Sequence, residues 1–132
     1  MNFLELERDL TAYVAEKIGL TVDTDIFRGQ IPDSAAYGAA VRITGFPENN
    51  DYSQDLVMFQ VYGKYATRDE AWSLACKCAG LAPIYGEKTE HHVLAFIQNE
   101  GGMNAPVLIE DKGRRAQFVS VNFTAAVLTR SA

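Results

Sequence analysis

Phe3, Leu6, Leu10, Tyr13, Val14 and Ile18 recur at three- and four-residue steps, with Glu5, Glu7, Arg8, Asp9, Glu16 and Lys17 largely between them. A helical period puts the first set on one face and leaves the second to water, so residues 1–20 predict an amphipathic helix. Gly19 is its stop signal. A short β segment follows at Ile26 and Phe27, and Gly29 with Pro32-Asp33 turns the chain. Residues 37–44 predict a second strand, with Ala39, Val41 and Ile43 sharing one face. Residues 45–53 are loop by composition, rich in Gly, Pro, Asn and acid.

Residues 56–65 carry the strongest strand pattern. Val57, Phe59 and Val61 oppose Leu56, Met58 and Tyr62, so both faces are apolar and the strand is expected to be central and covered on both sides. Thr67-Arg68-Asp69-Glu70 has the spacing of a capping box and opens a helix. Ala71, Leu74, Ala75 and Cys78 form its buried stripe, and Pro83 bars continuation. Residues 93–98 predict another strand, and residues 99–104 a mobile loop. Residues 107–110 and 117–127 predict two more strands, joined through a three-residue turn at Asp111-Lys112-Gly113. The helices do not alternate regularly with the strands. That order favours an α+β fold with a mostly antiparallel sheet and two helices packed on one face. With no repeat, low-complexity segment or linker, residues 1–132 are expected to form a single domain.

Composition narrows the class. A chain of 132 residues, 48% hydrophobic and 22% charged, is large enough to build its own core without a metal or a disulfide. Its longest apolar run, residues 93–97, is far short of the roughly 18 residues of a membrane span. The first ten residues carry acids every few positions, with neither a basic n-region nor an apolar h-region, so a cytosolic start is expected. Twelve basic against 17 acidic residues give a net charge of −5, which argues against a duplex-binding surface. Arg114 and Arg115 are the one adjacent basic pair.

Candidate chemistry is sparse. Cys76 and Cys78 lie two apart on a predicted helix and diverge, so reduced thiols are expected, Cys78 as a small hydrophobe. His91 and His92 alternate across a strand and cannot both face one ion, and no cysteine spacing suits zinc, so no metal site is expected. Ser34, Ser53, Ser73 and Ser120 lack a nucleophile elbow, and Gly101-Gly102 lacks the context of a phosphate loop. Asp23, Asp25 and Asp33 fall in turn-rich surface, and Trp72 is either a helix aromatic packed on the sheet or an interface anchor. No catalytic, cofactor or metal residues emerge.

Several segments in order carry a resemblance. Asp25-Ile26-Phe27-Arg28-Gly29-Gln30-Ile31-Pro32 follows an amphipathic helix; Val57-Met58-Phe59-Gln60-Val61-Tyr62-Gly63-Lys64 precedes a helix opened by Asp69-Glu70-Ala71. Then come Gln98, Pro106-Val107-Leu108-Ile109-Glu110-Asp111-Lys112-Gly113-Arg114 and Phe118-Val119-Ser120-Val121-Asn122-Phe123. The set resembles the tail-terminator and minor-capsid proteins of long-tailed bacteriophages over nearly the whole chain; residues 101–104 have no counterpart. The resemblance implies a virion protein without enzymatic activity or cofactor, assembled in the host cytoplasm. It implies a homo-oligomeric ring, expected to be a hexamer, at the head-proximal end of the tail tube. Its partners would be the tail tube protein and a neck or connector protein, with DNA passing through the lumen unbound and no membrane involved. A head-tail neck adaptor or stopper is the alternative, and a tail-assembly binding module or a small enzyme lies further off.

Loops on a rigid sheet are where contacts concentrate. The candidate interface residues are Phe46, Glu48, Asp51, Tyr52 and Asp55 around the first long loop, Met103 in the second, and Arg114 and Arg115 at the hairpin tip. Phe46 and Tyr52 are the expected aromatic anchors. Arg114 and Arg115 are expected to meet acids such as Glu48, Asp51 or Asp55 of a neighbouring subunit, setting register more than affinity. The hairpin is also expected to leave an edge strand open to pairing.

Overall fold

A computed structural model describes residues 2–46 and 55–130. Helix α1 runs Phe3–Ile18, capped at its start by the Asn2 side chain, which accepts from the Leu4 and Glu5 amides, and stopped by Gly19 in the left-handed conformation. The strands are β1 (Ile26–Arg28), β2 (Gly38–Gly45), β3 (Asp55–Tyr65), β4 (Ile84–Lys88), β5 (His92–Met103), β6 (Val107–Asp111) and β7 (Arg114–Thr129). Helix α2 (Arg68–Cys78) sits between β3 and β4 and passes into one 3₁₀ turn, Ala79–Leu81. Thr67 and Glu70 close the reciprocal capping box at its start.

All seven strands join one sheet in the order β1-β2-β3-β7-β5-β4, with β6 on β7. Only β1 and β2 are parallel. The fold is α+β. α1 lies over β1 and β2, and α2 over β3 and β7. Between helices and sheet the core is continuous: Leu6, Leu10 and Val14 from α1, Ala71, Leu74, Ala75 and Cys78 from α2, and the odd-numbered positions of β3 and β7. Phe59 and Phe123 stack across the β3–β7 pair at 5.1 Å between ring centroids.

Four expectations need correction. β3 is central, but only its helix-facing side is buried; Leu56, Met58, Gln60, Tyr62 and Lys64 lie half-buried on a face that carries no helix. β4 has no counterpart in the sequence pattern, because Tyr85-Gly86-Glu87 breaks the alternation. Residues 99–103 do not form a loop. They continue β5 along β7 through a bulge at which Gly101 and Gly102 take positive φ. The hairpin turn has two residues, Lys112 and Gly113, with φ of 53° and 76°. Two consecutive left-handed residues follow the right-handed strand twist, so β6 and β7 extend to Asp111 and Arg114.

Candidate functional site

Asp9 sits on the polar side of the α1 sequence pattern, yet it is 3% exposed. Its Oδ2 accepts from the Thr89 hydroxyl at 2.6 Å, the His91 backbone N–H at 2.8 Å and His92 Nδ1 at 2.8 Å. An ionised carboxylate only accepts, so Nδ1 of His92 carries the proton. Burial alone would raise the Asp9 carboxyl, but the hydrogen bonds from Thr89, His92 and the His91 amide, with the His92 charge, together hold it below the ordinary value. His92 is 1% exposed. Thr89 completes the turn: its hydroxyl, with its one proton on Asp9, accepts from the His92 amide, and its backbone N–H donates to the His92 carbonyl at 2.8 Å. The cluster ties α1 to the β4–β5 turn.

His91 points the other way from His92, as strand alternation requires, and is half-exposed. Its Nε2 lies 3.7 Å from Glu5 and 3.6 Å from Glu90. Among the described residues, Asp9, Glu90 and His91 each bring one donor atom to within 4.8 Å of the others. Convergence that the two imidazoles cannot achieve between themselves is thus supplied by α1. Asp9 Oδ2 is already committed to three donors, so the arrangement serves first as a structural clamp. Beside it, the Tyr13 hydroxyl is buried without a hydrogen-bond partner among the described residues, and burial, with Glu87 and Glu16 nearby, pushes it up to about 12.

The interface residues expected from sequence fall in separate places. Phe46 is half-exposed, and its ring lies 4.4 Å from that of Phe3, so the two form an aromatic pair at the start of α1 beside exposed Leu4. Glu48, Asp51 and Tyr52 lie outside the described residues, as do the side chains of Asp55 and Met103. Arg114 lies 5.7 Å from the centre of the Tyr37 ring, and Arg115 is exposed in register with Glu110. Around the hairpin tip, Lys64 pairs with Asp111 and Lys112 with Asp33, and each lysine holds its carboxylate partner below the usual range. With Arg114 these groups line a shallow cavity of about 270 Å³. The edge strand that the hairpin leaves is β6, where Val107 and Leu108 are 57% and 55% exposed, while β7 lies in the middle of the sheet.

The helix-free face of the sheet has an ordered polarity. One row of side chains crosses four strands in register: Arg42 on β2, Gln60 on β3, Asn122 on β7 and Glu100 on β5. Arg42 Nε donates to Gln60 at 2.9 Å, and Gln60 donates to Asn122 at 3.1 Å. Arg42 also lies 4.8 Å from the Tyr62 ring centre, and Glu100 accepts from Gln98. Beyond this row the face is mixed: one way come Met58, Thr124 and Gln98 and then Leu56, Ala126 and Phe96, and the other way Tyr62 pairs with Ser120 and Phe118 with Lys64, the two rings 5.8 Å apart.

No family model and no curated protein matches the sequence. Among solved structures, a chain designated only by a sequence identifier aligns at 13% identity with a TM-score of 0.46. The alignment covers 91% of this chain and 89% of that one, a likeness too slight to transfer a fold or a role.

Neither the Asp9 cluster nor the transverse polar row was among the sequence expectations. Asp9 reads as one more solvent-facing acid of an amphipathic helix, and its partners lie 80 or more residues away. The row had a partial signal, since Arg42, Gln60 and Asn122 each interrupt a run of strand-forming residues, whereas Glu100 lies in the polar stretch 98–102. Only the register aligns them.

Proposed function

We propose that this chain is a structural assembly subunit that closes the head-proximal end of a long phage tail tube as part of a ring. The observation that carries this reading is the one-sided sheet: helices cover one face, while on the other Leu56, Met58, Phe96, Tyr62 and Phe118 are half-buried with no helix over them. Exposed apolar surface organised on a rigid sheet is what a protein keeps for contacts with other chains. The Phe3–Phe46 pair adds a further apolar surface at the start of α1, and exposed Val107 on β6 extends the helix-free face beside Phe118. Such a subunit works by shape and contact, and needs no cofactor. Six copies would bring about −30 of formal charge to a ring, and acids along its bore would repel DNA phosphates and let the duplex slide.

The test is deletion of the gene from its parent phage, with negative-stain microscopy of the lysate. Headless tails of excessive length are expected. Headless tails of normal length beside filled heads would place the chain in the neck instead, and infectious virions would overturn the reading. Phe3→Ala with Phe46→Ala is expected to leave the circular-dichroism spectrum intact and to lower the yield of joined particles. An unchanged yield would remove that aromatic pair from the interface.

A further inference from the structure

We propose that the open sheet face pairs two copies of this chain about a twofold axis that runs along the strands between β3 and β7. The inference stands on that face and does not depend on the tail assignment.

A twofold axis lying between two facing sheets and parallel to the strands reverses the order of strands in the copy but keeps each row at its own height. The polar row runs Arg42, Gln60, Asn122, Glu100 from β2 to β5. Its rotated copy therefore sets Arg42 over Glu100, Gln60 over Asn122, and both again in reverse. The two charged ends are opposite in sign, both are exposed, and neither has a salt-bridge partner among the described residues. The same operation sets Leu56 over Ala126, Met58 over Thr124, Tyr62 over Ser120 and Lys64 over Phe118, each pair twice. The charged row is thus complementary to itself, and the Leu56 end meets apolar Ala126, which is the kind of self-match an isologous interface requires.

The dimensions agree. Aligned sheets pack about 10 Å apart, a gap that an arginine and a glutamate approaching from opposite sides can close. Four long strands at ~4.8 Å spacing and a paired length of about 33 Å give a plane near the ~600 Å² per partner at the lower end of stable interfaces. A reversible dimer in the micromolar range is expected. The helix layer and the β4 and β6 edges stay free for other contacts. A chain at −5 would otherwise repel its copy, yet this face balances Arg42 against Glu100, and its Lys64 is already paired with Asp111.

The experiment is sedimentation velocity of the full chain over a hundredfold concentration range in moderate salt. Wild type is expected to move from monomer to dimer. Arg42→Glu and Glu100→Arg are each expected to be monomeric with the wild-type circular-dichroism spectrum. Mixing the two variants restores both charge pairs at once, so a heterodimer is expected from the mixture alone. If Arg42→Glu loses the native spectrum, Met58→Lys on the same face replaces it and is also expected to be monomeric. Wild type that stays monomeric, a dimer indifferent to these substitutions, or a mixture that fails to associate would overturn the pairing. A hexamer insensitive to both charge reversals would overturn it too while favouring ring closure, so the two readings fail separately.

Discussion

At Asp9, loss of solvent and three hydrogen-bond donors act on one carboxyl group in opposite directions, and the donors prevail. The folded-state pKa is therefore below the unfolded value of 3.8. Stability from this group is fully present above the unfolded value and is lost as the pH falls through the folded one. The melting temperature of wild type is expected to drop on acidification below about pH 4, with a shallower drop in Asp9→Asn. Equal acid limbs in the two proteins would contradict the assignment. At neutral pH, Asp9→Ala is expected to cost about 3 kcal/mol in urea unfolding, because it strands buried donors on Thr89 and His92. Tyr13 is the opposite case: its hydroxyl is buried without a partner among the described residues, so Tyr13→Phe is expected to raise stability by up to about 1 kcal/mol. The cysteines separate by burial. Cys76 is exposed, and Cys78 is buried with its thiol pushed up to about 12. Titration with a thiol reagent is expected to modify one cysteine in the native protein and the second only after unfolding.

Among the elements, α2 and β3 are fitted to each other through an absent side chain. A Cβ on Gly63 would lie 2.5 Å from Leu74 Cδ2 and 2.7 Å from the Tyr65 ring. Gly63→Ala is therefore expected to push the helix off the strand and cost about 1–3 kcal/mol, read as a lower urea midpoint. Thr67→Ala, which opens the capping box, is expected to cost about 1 kcal/mol. Both helices were legible in the sequence because their signals are local: the spacing from Leu6 to Ile18, the Thr67–Glu70 pair, and the stripe from Ala71 to Cys78. The strand cores at Val41, Phe59 and Val121 were legible for the same reason. Elements that depend on a partner were not. Tyr85 and Glu87 form a strand because β5 lies alongside, and Asn99 and Glu100 stay extended because β7 supplies their partners. The side of β3 away from the helices looks like core in sequence, since Leu56, Met58 and Tyr62 are apolar whether they face a helix, solvent or another chain. The candidate site was the least legible part. Asp9 meets His92 across 83 positions, and no local pattern encodes that distance.

For the whole molecule, the sheet is held together from its middle. β7 pairs with β3 along eleven positions, with β5 along nine and with β6 along five, whereas β1 and β4 are short edges. Hydrogen exchange is expected to be slowest in β7 and β3 and fastest in β1, β4 and the β6 edge. Fast exchange along β7 would mean that the two halves of the sheet open independently. The described chain holds no helix long and apolar enough to cross a membrane. There is a further consequence in time. β7 follows every strand it joins, and without it β1–β3 and β4–β5 share no hydrogen-bonded neighbour. As the chain emerges from the ribosome, both groups must wait with their inner edges at β3 and β5 unpaired until β7 arrives between them. Folding is then a late, non-local event on a timescale of about milliseconds to seconds. Until β7 is in place, the exposed strands of β3 and β5 are where a chaperone would bind and where aggregation would begin.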